Sequence, residues 1–97
     1  MRQFDIVALR DKTYALMLQA DLLDQFAWRV VAPLVPSKAF TAAPRLHLTV
    51  RIARRDYIVV IDKMAAIHLS SIKSVAGSMK DREWDIRRAL DLVFVGV

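Results

Sequence analysis

The chain has 97 residues, with fifteen Lys plus Arg against ten Asp plus Glu, a net charge of +5 and no cysteine. That length predicts one domain over residues 1–97, with no room for a separate cofactor module. Lack of cysteine excludes disulfides, thiolate metal sites, iron–sulfur clusters and cysteine nucleophiles, and favours a reducing cytoplasm for so small a domain.

Hydrophobic residues make up 56% of the chain, against roughly 45–50% in an average soluble domain. A domain of this size leaves much of its surface in water, so the surplus points to a partner surface, most simply a symmetric dimer. The longest apolar run, Val30 to Val35, is far short of the ~18 residues of a spanning helix, so no membrane role is expected. Asp5, Arg10, Asp11 and Lys12 interrupt any signal-peptide core.

In chain order, Phe4, Ile6 and Ala8 alternate with Asp5 and Val7 before the polar cluster Arg10, Asp11, Lys12, a strand followed by a turn. Tyr14 to Asp21 places Tyr14, Leu16, Leu18 and Ala20 on one face, completing a predicted hairpin. Arg29 to Val35 is a β-branched run with Pro33 inside and Pro36 closing it. Because proline cannot donate to a ladder, this strand is expected at an edge or at a bulge. Leu46 to Ile52 is the cleanest alternation in the chain. Arg54, Arg55 and Asp56 read as the turn into a strand Tyr57 to Asp62, and Ala66 to Val75 as a further strand ended by Gly77. That gives about six strands.

After Gly77 the period changes. Ile86, Ala89, Leu90 and Val93 stand at i, i+3, i+4, i+7, an amphipathic helix with a Glu83–Arg87 pair, and Ser78 with Asp81 marks its start. The segment Leu92, Val93, Phe94, Val95, Gly96, Val97 is an apolar tail. Its two readings are packing on its own core or a dimer mate, and target recognition. The architecture expected is mainly β with one C-terminal helix.

The polar residues form no recognisable catalytic set: there is no phosphate loop, HExxH or nucleophile elbow. His47 and His68 are too few for a metal site, so neither metal nor cofactor is expected; acid–base work would need the fold to bring them together. Arg51, Arg54 and Arg55 form the one tight basic cluster on the β body, without interleaved aromatics. It reads as a solvated face, a contact for an acidic protein, or a nucleic-acid contact.

Several segments together carry a family resemblance. Arg82, Glu83, Trp84, Asp85, Ile86, then Ala89, Leu92, Phe94 and Gly96, resemble the ending R-E-x-D-I…F-W-G-I of the CcdB family of bacterial toxins. Gln3 and Phe4, Asp21 to Asp24 (family D-I-I-D), Arg29 to Leu34 (R-x-V-I-P-L) and Asp62 to Ala65 (T-D-M-A) follow in order at compatible spacing. The weakest stretch lies between Ser37 and Leu46.

The resemblance implies an SH3-like antiparallel β-barrel of the CcdB/Kid/MazF kind with a C-terminal helix, acting as a homodimer. It implies a toxin of a toxin–antitoxin module that binds the A subunit of DNA gyrase and traps it on cleaved DNA without bond chemistry of its own. Its antitoxin would be CcdA-like, with a disordered tail that folds around the toxin, and operator DNA would be met only through that antitoxin. Carried across by position, the gyrase contact is Val95, Gly96 and Val97, with Phe94, Asp91, Leu22 and Leu23 in support. Val95 stands where the family has tryptophan, removing a stacking contribution of about 0.5–2 kcal/mol per subunit. Asp91 stands where the best-known member has asparagine. Two alternatives remain open: a Kid- or MazF-like ribonuclease, with Arg51, Arg54, His47 and His68 as candidates, and a non-toxic homologue keeping the dimer and antitoxin surfaces.

Overall fold

In the computed structural model, which describes residues 1–96, seven strands precede one helix: β1 (Asp5–Leu9), β2 (Tyr14–Met17), β3 (Trp28–Pro36), β4 (His47–Ile52), β5 (Arg55–Val60), β6 (Ala65–His68), β7 (Ile72–Ser78) and α1 (Glu83–Phe94). All pairings are antiparallel. The sheet runs β4-β5-β3-β2-β1-β7, with β6 also on β3. It curls into a half-barrel of the expected mainly β kind, with α1 packed over the 61–63 turn and β4. The Val97 assignment lies outside the described residues.

The β1–β2 hairpin forms as predicted, with Ile6 opposite Leu16. Its turn is set by the Asp11 side chain, which accepts from the Thr13 N–H at 3.0 Å, and by Lys12 in the left-handed region at φ 72°.

Pro33 departs from expectation, because β3 is an interior strand and not an edge. It pairs β2 along one side, and along the other it pairs β6 through Trp28–Val31 and β5 through Leu34–Pro36. The Val30 carbonyl accepts from the Leu18 N–H, so even-numbered β3 residues bond towards β2 and Pro33 faces the opposite side. There it falls in the gap between the residues paired with β6 and those paired with β5, a place that demands no donor. The sequence shows the missing N–H but not the change of partner.

Ala66 to Val75 likewise divides into β6 and β7, joined by the 3-10 turn Leu69–Ser71. His68 causes the break: its Nδ1 accepts from the Ser70 N–H at 3.1 Å, drawing the chain off β3. The chain then crosses to β1, and Gly77, expected to end the strand, lies within β7 opposite Ile6.

Both faces of the middle strands are covered. Phe4, Ile6, Leu16, Leu18, Ala32 and Leu34 join Leu48, Val59, Ile61, Met79, Ile86 and Ala89 in the main core under the helix. Residues of opposite parity, Val7, Ala15, Met17 and Val31, form a second cluster with Leu9, Ile67 and Ile72. Two-sided burial explains the unbroken apolar run in β3 and absorbs part of the hydrophobic surplus. The helix stripe holds at Ile86 and Ala89, which are buried, whereas Val93 is 36% exposed.

The β4–β5 turn consists of Ala53 and Arg54, one residue earlier than the sequence indicates, with φ of 50° and 67°. Two consecutive left-handed residues make a type I′ turn, matched to strand twist but costly for side chains with a Cβ. Arg54→Gly is therefore expected to raise stability by about 0.5–1 kcal/mol, the left-handed penalty relieved less the entropy glycine adds to the unfolded chain. Thermal unfolding should show the midpoint rise; an unchanged or lower midpoint would contradict the strain.

Candidate functional site

The proposed contact residues lie on two elements. Leu22 and Leu23 occupy the 3-10 turn Asp21–Leu23, where Leu22 is 79% exposed. Asp21 ties that turn to the N-terminal segment, accepting from the Gln3 N–H at 2.7 Å and pairing with Arg2 at 3.5 Å. From the other side the Gln19 amide donates to the Leu23 carbonyl and accepts from the Val30 N–H, fixing the turn to β3.

Downstream, residues 24–28 are held by a buried charge. Arg29 is 5% exposed, yet its guanidinium meets only main-chain carbonyls: Nη2 donates to Asp24 at 2.7 Å and Nη1 to Phe26 and Trp28. Its Nε has no partner among the described residues. The carbonyls it collects shape a segment that leaves Phe26 and Trp28 more than half exposed beside Leu22 and Leu23 in the chain. The Trp28 ring stands edge-on to His68.

The second element is the end of α1. Phe94 and Val95 are 71% and 69% exposed. Gly96 adopts φ 81°, and its N–H bonds the Leu92 carbonyl at 3.2 Å, the left-handed cap by which helices commonly end. A Cβ on Gly96 would meet nothing, so its requirement is conformational and not steric. Asp91 contributes its carbonyl to the cap, accepting from the N–H groups of both Val95 and Gly96. Among the described residues no hydrogen bond or ion pair joins the Leu22–Leu23 turn to the end of α1; each presents apolar side chains to water independently.

The two histidines serve separate local networks. His47 is buried; its Nδ1 accepts from the Ala43 N–H at 2.9 Å, so its ring proton resides on Nε2 and is donated to Asp62 at 2.8 Å. The Phe40 ring packs edge-on against it. His47 thus pins the connection after β3 to the turn after β5. His68 is exposed and bonds locally to Ser70.

The His47 hydrogen bond, outweighing desolvation, holds the Asp62 carboxyl below the ordinary aspartate range. A carboxylate with a depressed folded-state pKa contributes stability that is complete above its unfolded value and is lost as pH falls through the folded one. Urea midpoints measured downward from neutrality should therefore fall more steeply below about pH 4 in the native protein than in Asp62→Asn. Parallel curves would remove the His47–Asp62 pair from the acid response.

Sequence reading missed a groove of about 790 Å³ between α1, β4 and the connection before it, rimmed by Arg45, Arg82 and Arg88. Arg82 donates to the Thr49 carbonyl at the β4 edge. The arginines come from distant parts of the chain, so no local cluster signals them. The cluster that sequence does show stays at the β4–β5 turn, away from this groove: Arg51 pairs with Asp56 at 3.5 Å and donates to the Arg54 carbonyl at 3.3 Å.

These features define a small curled-sheet protein that exposes apolar groups at a helix end and at a surface turn. The chain belongs to the CcdB family, whose description as CcdB protein matches residues 3–96. Solved structures share the fold at low identity. Mycobacterium tuberculosis toxin MazF-mt6 superposes with a TM-score of 0.77 at 18% identity, covering 93% of this chain and 95% of that one. MazE–MazF from Deinococcus radiodurans gives 0.75 at 15% identity, covering 100% and 97%. An endoribonuclease in complex with its cognate antitoxin, from a mycobacterial species, gives 0.78 at 11% identity, covering 97% and 94%.

Proposed function

We propose that this protein is the toxin of a type II toxin–antitoxin module, binding the A subunit of DNA gyrase and trapping the gyrase–DNA cleavage complex. Family membership over nearly the whole chain carries the reading. The exposed Phe94 and Val95, presented by the Gly96 cap, are the surface through which it acts. Gyrase is bound in one conformation of its catalytic cycle, so the toxin stabilises that state by differential affinity and catalyses nothing. It works as a cytoplasmic homodimer with a CcdA-like antitoxin as its neutralising partner. Exposed apolar side chains such as Trp28 and Val75 supply surface for subunit contact.

Supercoiled plasmid incubated with gyrase, ATP and this protein should yield linear DNA after protease treatment. Val95→Trp restores a flat ring and should bind gyrase roughly 2- to 30-fold more tightly per subunit. Unchanged affinity would mean that this helix end does not meet gyrase.

A second reading, an endoribonuclease, draws on the similarity to MazF toxins. RNA cleavage by the purified protein, without plasmid linearisation, would replace the first reading. Folded dimer lacking both activities would mark a homologue that keeps only its antitoxin surface.

A further inference from the structure

The edge of β4 offers a second and different interaction surface. Ile52 and Arg55 flank the two-residue turn Ala53–Arg54, so they form a hydrogen-bonded pair. Counting back by twos, Val50 and Leu48 bond inward to β5, while Arg51, Thr49 and His47 direct their backbone groups outward. Two outward bonds agree with this parity: His47 N–H donates to the Ala43 carbonyl, and the Thr49 carbonyl accepts from Arg82. The N–H groups of Thr49 and Arg51 face outward along this edge, Thr49 at the groove itself, with no partner outside the ladder among the described residues.

That free edge faces a basic rim. Arg45 has no ion pair among the described residues, and Arg82 and Arg88 share the single carboxylate of Asp85 at 3.7 Å each. The groove therefore carries two unbalanced positive charges, over a floor that includes Leu48 and Leu92. An unpaired strand edge with apolar floor and cationic rim fits an extended peptide whose alternate side chains are apolar and acidic. A nucleic-acid backbone would make no use of the apolar floor, and among the described residues no Phe, Tyr or Trp lines the groove for bases to stack on, its one imidazole, His47, being buried and bonded to Ala43 and Asp62.

We propose that the outer edge of β4, with Arg45, Arg82 and Arg88, is a strand-addition site for an extended acidic peptide. Arg82 then exchanges its bond to the Thr49 carbonyl for a carboxylate, leaving that carbonyl free for the added strand. Assigning the peptide to an antitoxin tail rests on the toxin reading above; the site itself does not.

The test is calorimetric titration with a synthetic peptide alternating valine and glutamate, beside the same peptide N-methylated at every second residue. The unmodified peptide should bind in a salt-sensitive manner and slow amide exchange at Thr49 and Arg51. N-methylation, or the double substitution Arg45→Glu with Arg88→Glu, should each weaken binding at least about tenfold, while Arg55→Glu on the neighbouring strand should not. No binding of the unmodified peptide, equal binding of the N-methylated one, or protection of the same amides by single-stranded RNA instead would each overturn the proposal. Peptide failure with plasmid linearisation intact overturns this site and leaves the toxin reading; peptide binding without linearisation does the reverse.

Discussion

Phe4→Ala is expected to cost about 3–5 kcal/mol, the range for truncating a fully buried aromatic. Against total stabilities of about 5–15 kcal/mol for domains of this kind, much of the folded population would be lost at physiological temperature. Phe4 is fully buried in the main core, and its backbone ties three parts of the molecule together. Its N–H donates to Met17 in β2 at 2.7 Å, and its carbonyl accepts from Met79, before the helix, at 2.8 Å. Lys80 and Arg87 lie over the ring, each 5.5 Å from its centroid.

The residue also holds φ at 68°, a left-handed conformation that disfavours any side chain. Alanine keeps nearly all of that strain while losing the ring, so nothing offsets the cavity. Thermal unfolding followed by circular dichroism should show the midpoint fall by at least about 12 °C. A fall of only a few degrees would mean the main core closes without this ring.

Arg29→Met should cost about 1.5–3 kcal/mol, because hydrogen bonds from a charged donor to three carbonyls are lost. Two effects oppose each other here. Burying a guanidinium without a carboxylate carries a desolvation penalty, which methionine avoids. The carbonyls of Asp24, Phe26 and Trp28 would meanwhile lose the donor that gathers them.

The second effect wins for the loop even where the first softens the global loss. Amide exchange should accelerate at Phe26 and at Leu69, whose N–H donates to Ala27 at 2.8 Å, more than in the core strands. If the loop carries the gyrase contact, the variant should also linearise less plasmid at equal folded concentration. Uniform acceleration across the molecule would show that Arg29 supports overall stability and not this loop in particular.

What could be read in the sequence was what depends on local periodicity. The β1–β2 hairpin, the alternation of β4 and the stripe at Ile86 and Ala89 follow from spacings of two and of three to four. For Leu22 and Phe94 the family resemblance implies a contact role, while their exposure is visible only in the fold. Features set by tertiary pairing were hidden. Pro33 looks like an edge residue until its strand is seen to exchange one neighbour for another. The His47–Asp62 bond spans fifteen positions with no motif between them, and the groove draws arginines from positions 45, 82 and 88.

The placement of β1 has a consequence for how the molecule comes into being. Its pairing with β7 joins Leu9 to Ile72 and Asp5 to Ser78, among the most distant contacts the chain makes. Such pairings slow folding, since a long loop must close before the ladder is rewarded. At about 5–20 residues per second of synthesis, the first strand waits several seconds for its outer neighbour. Through that interval β2 alone can cover it, the helix has not emerged, and the surfaces at Phe94 and Val95 do not exist. A ribosome carrying this chain therefore displays an unfinished hairpin while the later strands are made, and the sheet is completed only as β7 and α1 arrive together.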